Sequence, residues 1–116
     1  DVASIGMEIA GAYPPEAGVD SYRRTVTLTK GHGVAITDVH SSRASAELSL
    51  MFAAEPRFEP GRIVLEGLAE IAVIGAGPPR VEAIVITDPR LRATWPERLY
   101  RVLLPLLGEE LTLTIV

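Results

Sequence analysis

Apolar and polar residues alternate along most of this chain with a period of two, the pattern of strands that bury one face and wet the other. In SYRRTVTLTK, Tyr22, Arg24, Val26 and Leu28 form one row, and Arg23, Thr25, Thr27 and Thr29 form the other. The same rule sets Ala46, Leu48, Leu50 and Phe52 against Ser45, Glu47, Ser49 and Met51, and Leu111, Leu113 and Ile115 against Thr112 and Thr114. Shorter runs of the same kind are GVAITDV, GRIVLEG, LAEIAVIG and RVEAIVIT, and the first residues also read as a strand. Turn signals separate them: Gly31 with Gly33, Pro56, Pro60-Gly61, Glu66-Gly67, Gly75 to Pro79, and Asp88-Pro89. No segment carries a helical stripe of useful length, and Pro89 to Trp95 has room for a single turn before Pro96.

Strands recurring roughly every 8 to 14 residues, each with one apolar face, call for two sheets packed face to face. The expected fold is all-β, an antiparallel β-sandwich of about eight or nine strands filling residues 1–116 as a single domain. A closed barrel is the alternative, because a period of two does not distinguish closure from stacking. With 116 residues, 47% of them hydrophobic, the chain is long enough to bury a core without metals or disulfides. A core from this pattern draws on Val26, Leu48, Leu50, Val102, Leu104 and Leu113.

Composition narrows function mainly by exclusion. A formal net charge of −4 and the lack of any basic tract argue against a nucleic-acid partner. Zero cysteines exclude disulfides, Cys-based zinc sites and thiol catalysis, but leave the compartment open between periplasm and cytoplasm. No window is long and apolar enough for a membrane span, so no membrane partner is expected. There is no GxSxG motif, and IGAGPP lacks the Lys-Ser and following helix of a phosphate loop, which leaves it as a turn. The two histidines are His32, in the KGHG turn, and His40. Asp38 and His40, on one strand face, are the only local pair with ligand spacing, and two ligands do not make a site, so both read as solvated turn residues. No metal, cofactor or catalytic residue is expected.

Ten of the eleven basic residues are arginines, and guanidinium groups hold carboxylates and sulfates bidentately. Arg24 and Arg101 lie on strands among apolar neighbours, where an arginine pairs with an acid on the next strand. The stretch DPRLRATWPERLYRVLL gathers Arg90, Arg92, Arg98 and Arg101 around Trp95, the only tryptophan. Arg90, Arg92, Arg98 and Trp95 are therefore the candidate ligand-binding residues for an acidic polysaccharide. Asp88 and Glu97 stand among them as partners, and aromatic content of 5% is low for a sugar-stacking platform. The reading adopted for this segment is nonetheless a loop folded over one end of the sandwich, with Trp95 and Leu91 as plugs and the arginines as braces.

Taken in order, GAYPPEAGVDSYRRTVTL, GVAITD and DPRLRATWPERLYRVLL resemble the C-terminal β-sheet region of heparinase II/III-like proteins. The likeness spans nearly the whole chain, through a Y-R-R-T-V strand, a V-x-I-x-D strand and a late DPRL…W…RLYR segment. It implies bacterial polysaccharide lyases, or relatives of them, with an N-terminal α/α toroid and a C-terminal β-sandwich, cleaving uronic-acid-containing chains by β-elimination. The family's H-N-x motif, expected upstream of the YRR strand, has no counterpart here, nor does its β-region set of metal-binding histidines. The resemblance therefore implies a non-catalytic C-terminal scaffold in a longer protein, inactive alone, with the toroid as partner. A homodimer is expected of such a domain by itself. The alternatives are a carbohydrate-binding module and a protein-interaction domain.

Overall fold

The computed structural model describes residues 1–116 and is mostly β. Its strands are β1 (Val2–Glu8), β2 (Val19–Thr29), β3 (Gly33–Ser42), β4 (Glu47–Phe52), β5 (Arg57–Glu59), β6 (Arg62–Leu65), β7 (Ala69–Ile74), β8 (Arg80–Val85), β9 (Arg98–Pro105) and β10 (Glu110–Ile115). A single helical turn, α1 (Pro89–Arg92), precedes β9. All pairings are antiparallel, in a seven-stranded sheet ordered β1-β2-β3-β10-β7-β6-β5 and a three-stranded sheet ordered β4-β9-β8. The all-β sandwich read from the sequence is the architecture observed. Its least legible strand is β5, whose three residues are too few to show alternation.

Pairing register carries one inner face across the large sheet. Leu113 lies opposite Ile36 on one side and Val73 on the other, Ile36 lies opposite Val26, and Val26 opposite Ile5. A parallel row runs Ile63, Ile71, Ile115, Val34, Leu28 and Ala3. The opposite face carries Ser4, Thr25, Thr27, Thr37, Thr112 and Thr114, whose hydroxyls suit a wet surface. Close approach on both sides of β10 relies on glycine. A Cβ on Gly33 would sit 2.2 Å from the Ile115 carbonyl oxygen, and one on Gly75 the same distance from that of Glu110, both residues having positive φ.

The small sheet covers only part of this inner face. Ile63, Ile71, Leu111 and Leu113 meet Val102 and Leu104, while Leu48, Leu50, Phe52 and Phe58 pack around them. Only 11 of 116 residues are buried, because the inner face of β1 and β2 has nothing above it. Of the core read from the pattern, Val102, Leu104 and Leu113 are fully buried, and Leu48 and Leu50 pack against them. Val26 is a correction: its face is the inner one, but it lies beyond the reach of the small sheet and outside the core cluster.

Candidate functional site

The β2–β3 hairpin builds the most chemically distinctive place in the molecule. Its loop, Lys30-Gly31-His32, is tight, with Gly31 in the left-handed region, and fixes a register in which Arg24 opposes Asp38 and Tyr22 opposes His40. All four side chains belong to the inner face. They line a cleft of about 470 Å³ with Ile9, Tyr13 and the start of β4.

Arg24 and Asp38 form a bidentate pair, with Nε donating to Oδ1 at 2.7 Å and Nη2 to Oδ2 at 2.7 Å. The Tyr22 hydroxyl accepts from Arg24 Nη2 and donates to Asp38 Oδ2, both at 2.8 Å. Asp38 is 3% exposed and Arg24 keeps one edge open to solvent, so the arginine supplies the charge and the hydrogen bonds that a buried carboxylate requires. Tyr13 stacks on Tyr22 with ring centroids 6.2 Å apart and covers the cluster. The reading of Asp38 as a solvated turn residue is therefore corrected: strand pairing buries it beneath the arginine. The expectation that Arg24 and Arg101 pair with acids on the next strand holds, with Asp38 on β3 and Glu82 on β8.

This arrangement fixes protonation states and leaves few groups available for chemistry. Burial, reinforced by the hydrogen bond to Asp38 and its negative charge, pushes the Tyr22 phenol up to about 12. The hydrogen bond to Asp38 holds Arg24 even more firmly charged than usual. Both carboxylate oxygens are taken, and the phenol is too weak an acid to serve as a phenolate near neutrality. His40 lies beside the cluster, with Nε2 buried and without a hydrogen-bond partner. The turn histidine, His32, is exposed, and no group of three or more metal-ligating side chains exists.

A phenol raised in the folded state favours folding in its neutral form. Its contribution is complete below the ordinary tyrosine range and disappears as pH climbs through about 12. Urea unfolding across this alkaline range should reveal a stability loss, lessened by the solvent that reaches the half-buried phenol, that is absent in Tyr22→Phe. Parallel curves for the two proteins would show that the phenol is not held as described.

The arginine-rich segment is arranged differently from this cluster. Asp88 caps α1, its Oδ1 accepting from the Arg90 backbone N–H at 2.8 Å, while the Arg90 guanidinium is 93% exposed and 3.8 Å from the same oxygen. Arg92 donates from Nη1 to the Trp95 carbonyl at 3.0 Å, and Arg98 is exposed at the start of β9. Of the two acids read as partners, Asp88 pairs with Arg90, and Glu97 makes no ion pair. Trp95 and Leu91 do not plug the sandwich. They are 47% and 46% exposed, because a single turn bounded by Pro89 and Pro96 is too short to lay them on the core. A scan against protein-family models finds no match for the chain, and a search of curated proteins finds none either.

Proposed function

We propose that this chain is a non-catalytic β-sandwich scaffold of a heparinase II/III-like polysaccharide lyase, whose N-terminal α/α toroid carries the chemistry that cleaves uronic-acid-containing chains. One observation carries the reading. Tyr22, Arg24 and Asp38, which belong to the two strand motifs of the resemblance, are spent on one another in an ion pair bridging β2 and β3. In that arrangement the motif braces a sheet: its base is neutralised, its acid is a phenol held protonated, and its guanidinium is taken up by a carboxylate. Arg90, Arg92, Arg98 and Trp95 remain the residues for an acidic glycan in the alternative, a carbohydrate-binding module. The separate local partners of Arg90 and Arg92 favour the brace over the binding platform.

Incubating the chain with heparan sulfate, alginate and hyaluronan, while following the ultraviolet absorbance of unsaturated uronates, is expected to yield no product. On immobilised heparin the expected retention at physiological ionic strength is weak or absent, given the net charge of −4. A protein-dependent rise in absorbance that survives repurification would defeat the non-catalytic reading. Salt-resistant heparin binding lost in Arg90→Ala/Arg92→Ala, with stability unchanged, would favour the binding module.

A further inference from the structure

The large sheet extends past the small one by a strip two strands wide. On its inner face Ala3, Ile5 and Met7 of β1 lie beside Leu28, Val26 and Arg24 of β2, and Ile5 and Leu28 are 59% and 51% exposed. The strip continues the inter-sheet core without a break, since Val26 neighbours Ile36, which already packs against that core. The cleft shared by β4 and the ends of β2 and β3 shows that β4 is the small-sheet strand bordering the strip.

The strip therefore lies between two free strand edges, β4 above and β1 below, and neither carries the usual protection. β1 has no proline, lysine or bulge and only Glu8, at its end, while β4 has only Glu47, at its start. The two outlying edges differ: β5 is three residues long with Arg57 and Glu59 paired, and β8 carries Arg80 and Glu82. Charges guard the edges that face away from the strip, and the edges that flank it are open. The Ala46 carbonyl accepts from Leu106 N–H, and antiparallel alternation then turns the N–H and C=O of Ser49 and Met51 outward from β4. The Asp1 carbonyl accepts from Lys30 N–H, which likewise turns those of Val2 and Ser4 outward from β1.

We propose that a second copy of this chain covers the strip, with β1 of each copy pairing antiparallel with β4 of the other about a two-fold axis parallel to the strands. The rotation exchanges the two layers and leaves strand direction unchanged. It seats β1 of the partner over β2 and β2 of the partner over β1, so a strip two strands wide is filled by another of the same width. β4 returns over the end of β3, and β1 runs parallel to β3 because both flank β2 antiparallel. The new pairing is therefore antiparallel. The result is two continuous sheets of ten strands, seven from one copy and three from the other, enclosing a single core. The outward N–H and C=O groups of Val2 and Ser4 then meet those of Ser49 and Met51. Nothing in this arrangement depends on the lyase reading.

Sedimentation equilibrium of the 116-residue chain from low to high micromolar concentration tests the arrangement. A closed dimer of about 25 kDa is expected, twice the 12.4 kDa of the chain. Ile5→Lys places a charge on the inner strip, and Ser4→Pro removes an outward N–H from the edge. Each should yield a monomer with an unchanged circular dichroism spectrum. Ile74→Lys, on the opposite face at a position 71% exposed, should remain dimeric. A monomer at every concentration overturns the proposal. So does an open-ended series of oligomers, or a dimer that survives Ile5→Lys and Ser4→Pro and dissociates in Ile74→Lys.

Discussion

Arg24→Ala is expected to destabilise the chain by about 3 to 5 kcal/mol, the largest effect of any single exposed or half-exposed residue, because it leaves Asp38 buried without its counter-charge. The loss would not measure the strength of the ion pair. Much of it is the cost of an orphaned carboxylate beneath Tyr13 and Tyr22, so removing both charges in Arg24→Met/Asp38→Leu should cost less than Arg24→Ala alone. Arg57, by contrast, bridges Glu59 and Glu66 on the surface, and its replacement by Ala should change stability far less. Urea titrations of the three variants would check the order. Equal costs for Arg24→Ala and Arg57→Ala would show that the β2–β3 cluster is as solvated as the surface pair.

Leu104→Ala should cost roughly 2 to 5 kcal/mol through lost burial and the cavity left between the sheets, since Leu104 is 1% exposed and touches residues of both layers. Leu50→Ala, at the partly open edge of the same core, should cost less. Thr25→Ala and Thr27→Ala, on the wet face of β2, should stay within about 0.5 kcal/mol. Thermal melts of these variants test the face assignment directly. If Thr27→Ala proved as costly as Leu104→Ala, the inner and outer faces of β2 would be reversed.

Much of the fold was legible because strand alternation is a local property. Tyr22, Arg24, Val26 and Leu28 share a face whatever they pair with, and the same holds for Leu111, Leu113 and Ile115. The strand order was not legible, since the insertion of β10 between β3 and β7 pairs it with β3 from more than half the chain away and leaves no local trace. The candidate site was half visible. Arg24 called for an acid on a neighbouring strand and Asp38 stood on one, but their meeting depends on a register set by the Lys30-Gly31-His32 loop. Trp95 was misjudged for a related reason: an aromatic between prolines looks like an anchor, yet whether a core lies within reach is a property of tertiary structure. The open strip was equally hidden. Val26 alternates like any core residue, and only the width of the opposing sheet decides that it remains uncovered.

The scaffold assignment is tested most directly by turnover of the whole polypeptide in which these residues lie, assayed on acidic polysaccharide with and without Tyr22→Phe. A scaffold predicts release of unsaturated uronates by that polypeptide, with the variant free of the alkaline stability loss and unchanged in kcat at temperatures where it remains folded. A polypeptide that releases no such product, or a variant that keeps its fold and loses turnover, would contradict it.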